Sequence, residues 1–169
     1  MKKTKLLIYL AAVLAIFIAP ANAEPVIVNS EFGFSLLTFV PCAYNPFNPD
    51  GGRGDEVSIV GPQSTTIHGT INNFISASGE VHFFSRGVNG KGIATSINYH
   101  DTGSTKMSFE NVPVQSGVFH IDLVNRLNLV GEGPQNKFSV RETVHITVNV
   151  NVRPHTATVT VDDFKIECD

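Results

Sequence analysis

The chain contains no tryptophan, two methionines and only two cysteines among its 169 residues. Two cysteines are too few for the dense disulfide framework of a small secreted scaffold. Cys42 and Cys168 are also too far apart in sequence to resemble the closely spaced ligands of a zinc site. After residue 23 there is no cluster of Lys or Arg and no apolar run of the about 20 residues that a membrane span needs. These absences argue against a nucleic-acid partner and against a membrane span in the mature chain.

The first 23 residues have the pattern of a secretory signal peptide. Lys2, Lys3 and Lys5 precede an apolar run of about 13 residues at Leu6–Ile18, which is followed by the small residues of Ala21–Ala23. A transmembrane anchor needs a longer apolar run. We therefore expect cleavage after Ala23 and a secreted or periplasmic mature protein.

The mature part, 24–169, is expected to form a single domain with its own core. Removal of Lys2, Lys3 and Lys5 leaves nine basic and fifteen acidic residues, which gives a net charge of −6. A mildly acidic chain is a poor electrostatic match for nucleic acid or for an anionic membrane surface. Cys42 and Cys168 are expected to form one disulfide, because unpaired thiols are uncommon in exported proteins.

Helix signals are nearly absent after the signal peptide, and Gly or Pro interrupts runs rich in Val, Ile, Thr and Phe. This pattern predicts an all-β domain of antiparallel strands. A long loop is expected at Pro41–Glu56, where prolines and glycines replace apolar residues. The predicted strands are Glu31–Val40, Glu56–Val60, Ser64–Asn73, Gly79–Ser85, Gly92–His100, Lys106–Val112, Gly117–Val130, Lys137–Val150 and His155–Glu167.

Strict alternation in the last predicted strands allows their register to be predicted. Folding the chain back near residues 151–154 places Val148 opposite Ala157 and Val144 opposite Val161, so that apolar residues meet on one face. The alternation shifts at Asp162–Asp163, and one extra residue in a β-bulge explains the shift.

The same reasoning pairs the strand that ends near Val130 with the strand that begins at Lys137. In this register Leu129 lies opposite Phe138, and Asn125 lies opposite Glu142. Asn125 and Glu142 each interrupt an otherwise apolar face at the same level of the sheet. An apolar interior with one or two polar groups is typical of a ligand pocket. A mutual hydrogen bond, or a position at a wet rim, is the simpler explanation of the pair and the one we favour.

Long strands with short connections favour a single antiparallel β-barrel, because closure removes the exposed edges of a sheet. A β-sandwich is the alternative. In either architecture the predicted Cys42–Cys168 disulfide closes the domain by holding the last strand at the start of the long loop.

Other candidate sites have ordinary structural explanations. The six histidines show no spacing typical of metal ligands, so no metal or cofactor is expected. His120, Asp122 and His145 share the polar face of two neighbouring strands. There an Asp–His pair either orients a catalytic base or forms an ordinary cross-strand hydrogen bond.

The expected loop contains an Arg53-Gly54-Asp55 tripeptide, the motif of integrin ligands. Gly and charged residues are common in any solvated loop, so integrin binding is not expected. Asp50, Asp55 and Glu56 in the same loop do not have the spacing of an EF-hand calcium site.

Several motifs resemble a group of exported bacterial proteins that have no assigned activity. The resembling segments are Pro41–Ala43, Gly51–Val57, Gly131–Phe138, His145–Asn149, Asp163–Phe164 and Glu167–Cys168. The resemblance implies a bacterial source and one domain pattern that includes both cysteines. It supplies no catalytic or binding residues.

The function expected from the sequence is that of a non-enzymatic exported β-domain. It would bind a small apolar ligand in its interior or serve as an extracellular interaction module. The alternative is a barrel enzyme, of a cyclase or isomerase type, that uses Glu142 and Asn125 in an internal cavity.

Overall fold

The computed structural model describes residues 23–48, 51–85, 87–133 and 136–168. The predicted signal peptide lies outside these residues apart from Ala23, and Asp50 lies outside them as well. The described part of the chain forms strands without helices, as the sequence predicts. The strands are β1 (Ala23–Tyr44), β2 (Arg53–Asn72), β3 (Ser76–Phe84), β4 (Asn89–Gly92), β5 (Asn98–Asp101), β6 (Ser104–Pro113), β7 (Val118–Gly131), β8 (Lys137–Asn149) and β9 (Thr156–Cys168).

The strands form one antiparallel sheet in the order β6-β3-β2-β4-β5-β7-β8-β9, and β1 pairs with the remaining edge of β2. β1 and β2 form a long hairpin, in which the pairing runs from Ala23 opposite Asn72 to Tyr44 opposite Arg53. The opposite edge of β2 pairs with two different strands, with β4 over residues 57–60 and with β3 over residues 64–72. The short strands β4 and β5 connect this half of the sheet to the β7-β8-β9 half.

The predicted barrel is not supported, because the sheet does not close. In the described part of the chain, β1 pairs only with β2, β6 only with β3, and β9 only with β8. The free edge of β2 changes its partner near Gly61, from β4 to β3. Gly61 has a φ of 153°, and a Cβ atom there would lie 2.3 Å from the carbonyl oxygen of Gly87. A side chain at residue 61 would therefore collide with the chain that passes it at Gly87.

The two halves of the sheet pack against each other through two apolar clusters. The first cluster joins buried residues of β1, β2, β3 and β6 to residues of β7 and β8, with Ile67, Val81, Phe119 and Ile146 among them. The second lies nearer the disulfide and includes Val57, Tyr99, Leu127 and Phe138. The buried residues of each cluster are the inward-facing apolar residues that the alternation along their strands predicts.

The predicted pairing of β7, β8 and β9 is confirmed. Leu129 lies opposite Phe138, Val148 opposite Ala157 and Val144 opposite Val161. The register shifts by one residue between Thr143 and Val144, where Asp163 and Val161 are the partners and Asp162 is the extra residue. This is the predicted bulge.

Several strand boundaries differ from the prediction. β1 begins at Ala23 and runs through Pro25, Gly33 and Pro41, and β2 is one continuous strand instead of two. The connection between them is therefore shorter than the loop expected at Pro41–Glu56. β1 tolerates the prolines because it is an edge strand, where some N–H groups have no ladder partner to lose.

The predicted Cys42–Cys168 disulfide is present, with the two Cα atoms 5.8 Å apart. It links the end of β1 to the end of β9, two strands that lie beside each other without forming a ladder. Phe34 and Phe164 extend this contact with an edge-to-face ring pair at 5.7 Å. The disulfide thus joins two edges that backbone hydrogen bonds leave open.

Candidate functional site

The two predicted site residues form a direct contact inside the protein. Asn125 on β7 lies opposite Glu142 on β8, as the register predicts. The side-chain amide of Asn125 donates a hydrogen bond of 2.8 Å to Oε2 of Glu142. Both residues are buried, and Glu142 has no exposed surface. They therefore lie inside the fold and away from a wet rim.

A third polar residue, Gln63 of β2, completes the site. Its Nε2 atom donates to Oε1 of Glu142 at 2.9 Å, and its Oε1 accepts a longer hydrogen bond from Asn125 at 3.4 Å. We call Gln63, Asn125 and Glu142 the buried polar triad. Gln63 interrupts the inward apolar alternation of β2 between Ile59 and Ile67. That interruption in the sequence marks Gln63 as an inward-facing polar residue, although it does not show which residues Gln63 contacts.

Burial raises the pKa of the Glu142 carboxyl, because the charged form loses its hydration. The hydrogen bonds from Asn125 and Gln63 act in the opposite direction, since they stabilise the carboxylate. The negative charge of Asp101 adds to the upward shift. The net shift in the pKa is upward, which makes Glu142 easier to protonate than an exposed glutamate.

The triad lies between the two apolar clusters, and each carboxylate oxygen already has an amide donor. Three clefts of about 230, 280 and 400 Å³ open elsewhere on the described surface, and none of the three is lined by a residue of the triad. Thr65, the next inward residue of β2, is buried, and its hydroxyl is without a hydrogen-bond partner among the described residues. The triad thus joins β2 to β7 and β8 across the core.

The Arg53-Gly54-Asp55 tripeptide lies at the start of β2 and not in an exposed loop. Asp55 is only 3% exposed. Its carboxylate accepts hydrogen bonds from the backbone N–H groups of Ala94 and Thr95 and from the Thr95 hydroxyl, at 3.1, 3.3 and 2.7 Å. The carboxylate therefore holds the turn between β4 and β5, and it is not displayed for a receptor.

On the outer face of the β7-β8-β9 half, His145 lies between two carboxylates. Its Nδ1 is 2.5 Å from Oδ1 of Asp122, and its Nε2 is 3.1 Å from Oδ2 of Asp162, the extra residue of the bulge. The hydrogen bond to Asp122 raises the pKa of His145. His120 is not part of this contact, since its ring nitrogen pairs with the Thr147 hydroxyl at 3.0 Å.

The Asp122–His145 pair faces solvent, with the His145 and Asp122 side chains 42% and 73% exposed. In the described part of the chain, no group of three or more His, Cys, Asp or Glu side chains is placed to hold a metal ion. No helix among the described residues is long and apolar enough to span a membrane.

Comparison of the chain with protein-family models, with curated proteins and with solved structures found no match. The resemblance to exported bacterial proteins therefore stays a prediction, and the function must be argued from the site itself.

Proposed function

We propose that this protein is a non-enzymatic binding domain that works outside the cytoplasm and recognises its partner with its outer surface. The observation that carries the proposal is the burial and hydrogen bonding of Glu142. It is the only acidic side chain with no exposed surface among the described residues, and both of its oxygens are used in hydrogen bonds to Gln63 and Asn125. The carboxyl group of Glu142 is therefore already used to join β2 to β7 and β8, as a buried polar group with internal partners.

The location outside the cytoplasm is supported by two features. The Cys42–Cys168 disulfide suits an oxidising compartment. The predicted cleavage after Ala23 would remove only the first residue of β1, so the mature chain would keep the strand. We also infer that the two packed halves of the sheet make the fold a β-sandwich, which presents two outer faces to solvent.

Intact mass measurement under native conditions tests this proposal on protein purified from its natural source. We expect a polypeptide that begins at Glu24, is lighter by two hydrogens than the reduced chain, and carries no small molecule. A retained small molecule that is lost in the Glu142→Gln variant would overturn the proposal, because it would place a ligand at the triad.

The second candidate is the interior site predicted from the sequence, either as an apolar-ligand pocket or as an enzyme that uses Glu142 and Asn125. The unpartnered hydroxyl of Thr65 beside the triad favours it, because buried polar groups normally have partners. The same mass measurement decides between the two candidates. An interior ligand would be retained by the wild-type protein, whereas a surface-binding domain would be free of it.

A further inference from the structure

One outer face of the sheet displays large apolar side chains instead of polar ones. Leu37 and Phe39 of β1 are 63% and 57% exposed, Val60 of β2 is 48% exposed, and Ile93 just after β4 is 57% exposed. We call these four residues the outer hairpin face. Single exposed apolar residues are ordinary, but a contiguous group is typical of an interaction site.

The strand pairing shows that these residues are neighbours. Leu37 lies opposite Ser58, which lies opposite Lys91 on β4. Phe39 lies opposite Glu56, whose carbonyl accepts a hydrogen bond from the backbone N–H of Ile93. Adjacent strands are about 4.8 Å apart, and alternate residues on one strand are about 6.6 Å apart.

Val60 completes the arrangement one step further along β2. It lies opposite Ser35 on one side and Asn89 on the other. The apolar residues thus occupy three successive rows of the sheet and surround Ser58 at the centre.

Two opposite charges lie in the same face. Glu56 and Lys91 are both exposed and form no ion pair among the described residues. They are on neighbouring strands and in neighbouring rows, so they lie on opposite sides of the diagonal line that joins Ser58 to Ile93 and at about the same distance from it.

We propose that the outer hairpin face binds a second copy of this chain, in an isologous dimer. A two-fold axis along the Ser58–Ile93 diagonal places Glu56 of each copy against Lys91 of the other. The same axis places Leu37 of each copy against Val60 of the other and brings the two Ile93 side chains together. Isologous contacts need this kind of self-complementarity, in which one patch matches itself after rotation.

The geometry of the dimer agrees with known sheet packing. The two spacings put the diagonal about 36° from the strand direction, so the strands of the two copies cross at about 70°, nearer the orthogonal class of face-to-face sheet packing than the aligned class. An aligned dimer with its axis along β2 or along β4 would instead place Glu56 against Glu56 or Lys91 against Lys91, and like charges in contact oppose association. The opposite charges therefore favour the near-orthogonal arrangement over these two.

This inference rests on the proposed function as a surface-binding domain, and it names the partner. Analytical ultracentrifugation of the oxidised mature protein over a wide concentration range is the test. We expect a reversible monomer–dimer equilibrium that the Leu37→Asp variant abolishes. Ile27→Asp is the matched control, because Ile27 lies on the same face of the same strand, is 58% exposed and is outside the proposed contact. The control should dimerise like the wild type.

A charge exchange tests the predicted orientation. Glu56→Lys and Lys91→Glu should each weaken the dimer by about tenfold or more, since each converts two attractive contacts into repulsive ones. The double variant with both changes should recover most of the wild-type affinity. Failure of the double variant to recover would overturn the near-orthogonal arrangement.

A protein that remains monomeric at every concentration would overturn the inference that the partner is a second copy. A monomeric protein would not overturn the proposed function as a surface-binding domain. The result that overturns the proposed function is a small molecule retained at the triad. Far-UV circular dichroism of each variant verifies that the fold is unchanged, so a loss of association is assigned to the face itself.

Discussion

Asn125 and Glu142, which lie opposite each other on β7 and β8, are joined by a hydrogen bond of 2.8 Å in a core from which Glu142 exposes no surface. Gln63 supplies the second donor from β2, in the other half of the sheet. A buried carboxylate is costly unless hydrogen bonds satisfy it. The triad therefore favours one way of packing the two halves, because any displacement of β2 along β7 and β8 would break a buried hydrogen bond.

The contribution of Glu142 to the free energy of unfolding should fall as the pH rises above the ordinary glutamate pKa of 4.5. Its pKa is raised in the folded protein, mainly by burial, so the folded state holds a proton that the unfolded state has released. The Glu142→Gln variant should lack this part of the pH dependence. Urea denaturation at a series of pH values measures the slope in both proteins.

Glu110→Gln is the control for this titration, because Glu110 is exposed on β6. It should retain the wild-type slope. If the stability curves of Glu142→Gln and the wild type run parallel as the pH rises from 4.5, then the pKa of Glu142 is not raised by folding.

Removal of the disulfide should lower the free energy of unfolding by about 2–5 kcal/mol. The bond closes a loop with a sequence separation of 126, which restricts the unfolded chain strongly. It also joins the open edges of β1 and β9. Chemical denaturation of the Cys42→Ser/Cys168→Ser double variant measures the loss.

Reductant provides the control for the disulfide experiment. It should destabilise the wild-type protein to the level of the double variant and leave the double variant unchanged. A wild-type protein that reacts with two equivalents of alkylating agent before any reduction would contradict the presence of the bond.

The sequence was most informative where the contacts are local. β7, β8 and β9 are consecutive and alternate strictly, so parity and short connections were sufficient to predict their register, the Asp162 bulge and the Asn125–Glu142 contact. The cysteine pair was predicted for a different reason, because an exported chain with two cysteines leaves only one intramolecular pairing.

Contacts between distant segments could not be predicted in this way. Gln63 is 79 residues from Glu142, and parity on β2 does not reveal which strands face it across the core. The close approach of Gly61 to Gly87 accompanies the change of partner along β2, and a glycine in a strand has several explanations. The predicted strand Gly92–His100 is divided by a turn that Asp55 holds from about 40 residues away.

His145 should titrate above the ordinary histidine pKa of 6.5, because Asp122 accepts a hydrogen bond from its ring. Since the pKa is raised on folding, this contact stabilises the protein fully below pH 6.5 and loses its effect as the pH rises through the folded-state pKa. Nuclear magnetic resonance of the histidine ring protons follows the titration. Asp122→Asn should lower the pKa of His145.

Asp163→Asn is the matched control for His145, because Asp163 lies beside Asp162 on β9 but contacts the backbone N–H of Phe164. It should change the pKa of His145 less than Asp122→Asn does. An equal decrease in both variants would mean that the general negative charge around His145 raises its pKa, rather than the Asp122 hydrogen bond.

Asp55→Ala should lower the free energy of unfolding by about 2–3 kcal/mol, because it leaves the donors of Ala94 and Thr95 without their acceptor in a partly buried turn. Hydrogen exchange of these two amides should accelerate more than exchange in β7 and β8, since the turn opens locally. Glu31→Gln, an exposed change on β1, should alter neither quantity.

If Asp55→Ala keeps wild-type stability and wild-type exchange at Ala94 and Thr95, then the Asp55 carboxylate does not hold the turn.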